Sequence, residues 1–595
     1  MKRIILYIVT LLTIFTVSLS AQEQHFSSAR VPAYPWVMPH IQPNGDTLHF
    51  YLRGDERYHY MITEDGWEIQ HNDKGALCYV KQLSNGETKV SCKQAKDASK
   101  RSRCEQWWLK HYGINKIAGK IEQVPARRLL GDNRTLIEPT GVARRISQEQ
   151  TAAPRMLAGK RSIKKRGLII LVAFKDTPFS TPKDTMDSMM MGNHFTRSYS
   201  YTYKNKTYPV ESEGSARQYF EASSFGEYSP IFEVAGPVTV SNTAAYYGND
   251  NKSRTKAKAM VVEACKQLRA KKMVDFSKFD EDNDGYVDYI YVIYAGYGSH
   301  DNQEYIGKAI WPHAGIVSDT ATFNGKRLST YACGSEMNYW SKTYYGIGVF
   351  CHEFSHVLGL PDFYNTVQYA HKTLGMWDIM DQGPYVNDAN TPPLYSAYER
   401  FFMGWLTPRV LQEQENVYLP DLATTNEALL ISSTGRHNLN GETPVPATFY
   451  LLESHRKEGW YAYMPSDGML ISKISYNAET WGDNSVNVSQ DAMGVDLIEA
   501  DGLTPWENEE GWIGKQGDCF PYGATEYTAI PNYPITNISI SDGEVFFAFK
   551  GGAETPTDVT QLDQDPQQES KFLHNGQMLI RRGGHIYNLI GQCIQ

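Results

Sequence analysis

Hydrophobic and polar positions divide this chain into stretches of different period. Across 48–80, apolar residues alternate in short runs, T-L-H-F-Y-L, Y-H-Y-M-I-T and A-L-C-Y-V. Alternation sends successive side chains to opposite faces of an extended chain, so these runs predict strands, and Asp65-Gly66 predicts a hairpin between two of them. Between 127 and 166 the periodicity disappears, and Thr151-Ala-Ala-Pro154 gives way to Arg155, Lys160, Arg161, Lys164, Lys165 and Arg166, an exposed, basic linker. At Gly167 the character changes to G-L-I-I-L-V-A-F, a continuous apolar run of strand length that opens a new domain. In 255–271, Met260, Val261, Ala264, Cys265 and Leu268 fall at helical spacing, which places Cys265 in a core. Y-I-Y-V-I-Y-A-G reads as a strand, and Ile347, Phe350, Phe354 and Val357 read as the buried face of a helix over 347–358. From 413 to 551 the chain is strand-rich and closes on an Asp542-Gly543 hairpin; 554–570 is a polar linker, followed by turn signals at Asn575-Gly576 and Gly583-Gly584.

A length of 595 residues exceeds one core and implies three or four domains. Charged residues make up 21% of the chain and the net charge is −9, with both signs interspersed, so no basic surface for nucleic acid is expected. Lys2 and Arg3, an apolar run over 4–17 and the small residues Ser18, Ser20 and Ala21 predict a cleaved secretory signal peptide over 1–21. After that cleavage no membrane span is expected, and the product is secreted or held at the cell surface. Eight cysteines are too few for a disulfide-dense scaffold, and their pairing is open.

The candidate chemistry lies in H-E-F-S-H-V-L-G-L-P-D, His352 to Asp362. Residues four apart project from the same helical face, so His352 and His356 can converge on one metal while Glu353 stands beside it as a general base. Gly359 can turn the chain through a left-handed conformation that brings Asp362 back as a third ligand. Three protein ligands leave the fourth position of a zinc ion open, which separates a catalytic site from a closed structural one. Upstream, F-D-E-D-N-D-G-Y-V-D has the order of a calcium loop, with Asp280, Asp282, Asp284 and Asp288 as carboxylates, Gly285 at the sharp turn and Tyr286 offering its carbonyl. Tyr291 stands where an EF-hand carries its bidentate Glu, and a strand follows instead of a second helix, so this reads as a lone calcium site.

H-E-F-S-H-V-L-G-L-P-D-F-Y, the W-D-I-M turn around Met380 and Y-E-R-F-F-M-G-W-L resemble the immune inhibitor A family of secreted bacterial zinc metallopeptidases. The resemblance implies an α+β fold with a metzincin-like protease domain, a mixed twisted sheet plus the active-site helix, over 161–412. It further implies a β-rich propeptide with its basic linker over 22–160, a C-terminal β-rich domain over 413–552, and a linker with a possible sorting tail over 553–595. Met380 would form a floor under the zinc ligands, Tyr385 would stabilise the developing oxyanion, and His313 of Trp311-Pro-His313 would touch substrate or serve structure. The implied activity is hydrolysis of peptide bonds in extracellular proteins by a zinc endopeptidase made as a zymogen. Its latency would come from Cys78, Cys92 or Cys104 as a thiolate on the metal, from a carboxylate, or from steric blocking. A zinc hydrolase of another amide and a non-catalytic adhesin that keeps the fold are the rival readings. Glu353, which is no ligand, favours an enzyme over an adhesin.

Overall fold

The computed structural model describes residues 31–552 apart from 56–58, 84–86, 118–165, 204–205, 251–253, 318–320, 367–370, 372, 504–513 and 542, and beyond them the backbone of three strands within 570–587. The expected signal peptide and basic linker, and the turns at 575–576 and 583–584, lie outside the described residues. The fold is a mixed α+β arrangement. Six strands, β1 (Met38–Ile41), β2 (Thr47–Gly54), β3 (His59–Thr63), β4 (Glu68–His71), β5 (Leu77–Gln82) and β6 (Thr88–Gln94), form an antiparallel sheet in sequence order. Helix α1 (Arg103–His111) follows, and the expected turn at Asp65-Gly66 joins β3 to β4 with Gly66 at φ 89°.

The central sheet explains the unbroken apolar run at 167–174. Strand β7 (Arg166–Ala173) pairs in parallel with β10 (Ile231–Thr239) on one side and β12 (Ile290–Tyr297) on the other; β16 (Thr330–Met337) extends the sheet in parallel and β13 (His313–Ile316) closes it antiparallel. Leu168, Ile170 and Val172 enter one core with the helix α2 (Thr255–Ala270), where Cys265 is fully buried as expected. Ile169 and Leu171 enter the opposite core, with Phe350 and Phe354 of the helix α3 (Gly348–Leu358). With both faces covered, an interior strand gains from apolar residues at every position and loses its alternation.

The strand-rich C-terminal stretch forms two sheets, one of order β17 (Arg409–Val410), β19 (Leu429–Ser432), β20 (Thr448–His455), β21 (Gly468–Ser475), β22 (Val495–Leu497), and one of order β18 (Glu415–Leu419), β24 (Glu544–Phe549), β23 (Ile535–Ser541). They share a core of Leu419, Leu452, Ile471 and Phe547, while Phe449, Leu451, Trp481 and Val495 belong to the same core as the central sheet and α3. The five-stranded C-terminal sheet is therefore packed directly onto the face that carries the His-Glu-x-x-His motif.

Candidate active site

Helix α3 begins where a glycine allows close approach. A Cβ at Gly348 would meet the Pro384 carbonyl oxygen at 1.9 Å, so only glycine lets the 383–385 turn lie against the helix start. The helix ends at Gly359, whose φ of 110° is the left-handed conformation expected of it. Its amide bonds back to the carbonyls of Ser355 and His356. All eleven helical residues are buried.

The structure brings His352, His356 and Asp362 together as one buried cluster. The two Nε2 atoms are 3.2 Å apart, and Oδ1 of Asp362 lies 3.3 Å from Nε2 of His352 and 3.1 Å from that of His356. Nδ1 of His352 faces the Ile379 carbonyl at 2.7 Å, and Nδ1 of His356 faces the Leu360 carbonyl at 2.7 Å. A carbonyl can only accept, so each Nδ1 carries the proton and each Nε2 is left with its lone pair pointing into the cluster. Three lone pairs so close repel one another unless a cation lies between them. Ligands at about 2.0–2.1 Å from a tetrahedral ion stand about 3.3 Å apart, which is the spacing found here. The donor set thus fits a resident divalent metal with nitrogen and oxygen ligands.

The turn below the ligands is built by Asp378. Its Oδ1 accepts from the Met380 amide at 2.7 Å and its carbonyl accepts from Gly383 at 2.9 Å, while the Met380 carbonyl accepts from Phe363, next to the third ligand. Met380 is fully buried in the core beneath α3. Asp378 joins Glu399 and, on β20, Glu453 in a buried acidic group; burial and the neighbouring carboxylates push Asp378 up to about 8 and Glu399 well above its ordinary value.

Glu353 is fully buried one residue after the first ligand, near enough to Tyr291 and Tyr385 for its charge to add to burial in raising both phenols. Tyr385 donates to the Pro32 carbonyl at 2.5 Å, and Tyr34 and Trp36 pack edge-on to its ring. That N-terminal segment is anchored by Trp311 Nε1 donating to Val31 at 2.8 Å, by Tyr34 N–H donating to His300 at 2.9 Å and by Arg53 donating to Pro35 at 3.0 Å. Tyr60 and Ile62 of β3 pack on Tyr364, two residues past Asp362. The segment before β1 therefore covers the Tyr385 side, and the first sheet covers the Tyr364 side. None of this contact was visible in the alternating pattern of 48–80, which specifies a buried face but not what lies against it.

His313 is buried between the Trp311 carbonyl and the Tyr331 hydroxyl, each at 2.7 Å, which is a structural role. Among the described residues all seven cysteines are free, and the metal cluster contains none of them: Cys78 is buried beside Asn72, and Cys92 and Cys104 are exposed. In the acidic loop, Asp280, Asp282 and Asp288 offer oxygens within 4.8 Å of one another. Asp284 stands outside that grouping, with Oδ1 accepting from the Tyr286 amide at 2.8 Å. Lys326 reaches the fully buried side chain of Asp280 at 2.5 Å.

A His-Glu-x-x-His helix, an Asp returned beside it and a methionine turn beneath them make up a candidate metal centre. Residues 154–405 match the family model described as immune inhibitor A peptidase M6, catalytic domain. The chain is similar to the pre-pro-metalloprotease PrtV of Vibrio cholerae serotype O1, 26% identical over 268 residues, which covers 40% of this chain and 29% of the relative. It is also similar to immune inhibitor A of Bacillus thuringiensis subsp. alesti, 26% identical over 273 residues, 40% of this chain and 39% of that protein. The chain thus aligns with well under half the length of these curated relatives.

Proposed function

We propose that this protein is a secreted zinc endopeptidase made as a zymogen. The observation that carries the reading is the triangle of His352 Nε2, His356 Nε2 and Asp362 Oδ1 at 3.1–3.3 Å, with Glu353 on the same helix. His352, His356 and Asp362 would hold the zinc, which would supply Lewis acidity toward the scissile carbonyl and the attacking water. Glu353 takes the proton of that water on its carboxylate and hands it to the leaving amine. His352 and His356 are held in the ligating tautomer by the Ile379 and Leu360 carbonyls. Tyr385, once released from Pro32, turns its hydroxyl to the developing oxyanion. The peptide substrate lies along β13, the antiparallel edge strand of the central sheet. Cleavage of casein by the processed protein, abolished by a zinc chelator and restored by zinc, tests the reading. An enzyme for small amides leaves casein whole, and an adhesin cleaves nothing.

Latency in this reading is steric. The segment from Pro32 to Trp36 occupies the hydroxyl of Tyr385 and buries its ring, and the cut that frees it falls in 118–165, the stretch that contains the expected basic linker. The intact chain is expected to cleave casein at least about tenfold more slowly than protein cut in that stretch, one factor of ten being about 1.4 kcal/mol of barrier. A Cys78→Ser, Cys92→Ser, Cys104→Ser triple variant is expected to remain as latent as wild type. Equal activity before and after the cut, or a leaky triple variant, contradicts the steric account.

The acidic loop binds calcium in this reading, through Asp280, Asp282 and Asp288 with Asp284 and the Tyr286 carbonyl alongside. Crowded carboxylates repel, and Lys326 compensates only part of their charge. Calcium at about 100 times its dissociation constant adds about 2.7 kcal/mol to stability. Thermal melting at constant zinc should therefore rise by several degrees with calcium over a calcium-selective chelator, and identical curves would count against the site.

A further inference from the structure

The third ligand is gripped from outside the stretch that matches the family model. Asn484 lies 122 residues beyond Asp362, yet its Oδ1 accepts from the Asp362 amide at 2.6 Å and its Nδ2 donates to Asp362 Oδ2 at 2.6 Å. One side-chain amide thus fixes both the backbone and the carboxylate of the same residue. Asp362 is fully buried and Asn484 is 1% exposed, so water does not substitute for either bond. The division of oxygens matters: Oδ2 is taken by Asn484, and Oδ1 faces the two imidazoles. Asn484 holds this pose at φ 62°, a left-handed conformation that asparagine tolerates better than most residues. Thr366 Oγ1 donates to the Asn484 carbonyl at 2.8 Å, and Asn487 Nδ2 donates at 2.7 Å to the carbonyl of Phe363, beside the ligand. Trp481 and Val486 seat this turn in the core that also contains Phe363 and α3.

We propose that Asn484 is a positioning residue of the metal centre, fixing Asp362 so that a single carboxylate oxygen faces the metal, and that the strand-rich C-terminal stretch is thereby part of the active site. This rests on the metallopeptidase reading. Ligand carboxylates depend on their own hydrogen-bond partners for orientation, and loss of such a partner typically costs 10- to 100-fold in metal affinity or activity.

The test uses the full chain with Asn484→Gly, which keeps the left-handed backbone free of strain and removes only the amide. Zinc affinity is measured by competition with a chromophoric chelator, alongside the visible spectrum of the cobalt-substituted protein and the melting of the metal-free form. The expected result is roughly 10- to 100-fold weaker zinc binding, an altered cobalt spectrum and a fall in kcat with little change in KM. A lower melting temperature with unchanged zinc affinity and cobalt spectrum means a loop anchor only and overturns the proposal. Should N484G fail to fold, Thr366→Val decides, because it loosens the placement of residue 484 without touching the ligand. Weaker zinc binding supports the proposal and unchanged binding overturns it. Wild-type protein that binds no transition metal would instead remove the metallopeptidase reading itself.

Discussion

Glu353→Ala is expected to bind zinc as wild type does, to melt close to wild type and to lose nearly all peptide cleavage. Glu353 does not belong to the ligand cluster, and its carboxylate is buried within electrostatic reach of Tyr291 and Tyr385. Without it the attacking water has no positioned base. General acid–base groups typically contribute about 10² to 10⁴ in rate, equivalent to roughly 3 to 5 kcal/mol of barrier. Steady-state cleavage of casein by zinc-loaded variant and wild type, each cut within 118–165, measures the loss. Activity within a few-fold of wild type would remove Glu353 from the mechanism.

His356→Ala is expected to do more, because it takes away a ligand. The remaining pair, His352 Nε2 and Asp362 Oδ1 at 3.3 Å, cannot complete a tetrahedral site. Metal analysis after dialysis should fall from one zinc per chain to almost none, and cleavage should become undetectable. Stability should fall as well: a metal present at about 1,000 times its dissociation constant contributes about 4 kcal/mol, which is lost with the site. A variant that retains a full equivalent of zinc would place the metal elsewhere.

What could be seen in the sequence was local. His352, Glu353, His356, Gly359 and Asp362 fall within eleven residues, and helical geometry alone places the first three, so the clustering of His352, His356 and Asp362 was legible without tertiary information. The two-sided burial of 167–174 and the helix over 255–270 were legible for the same reason, since period reports burial directly. Asn484 left no periodic signal, because a two-bond amide clamp needs one residue at one place, and its distance from Asp362 along the chain hides the contact. The Tyr385 latch was invisible in the same way. Tyr385 is the tyrosine proposed for the oxyanion, and its partner, the Pro32 carbonyl, is a backbone atom 353 positions earlier.

The central claim is that peptide cleavage depends on one metal held by His352, His356 and Asp362. Its most direct test is a titration: metal-free protein, cut within 118–165, receives zinc in steps while casein cleavage is followed. The account predicts no cleavage at the start, a linear rise and a plateau at one zinc per chain. Cleavage by the metal-free protein, or none at any zinc level, would contradict it.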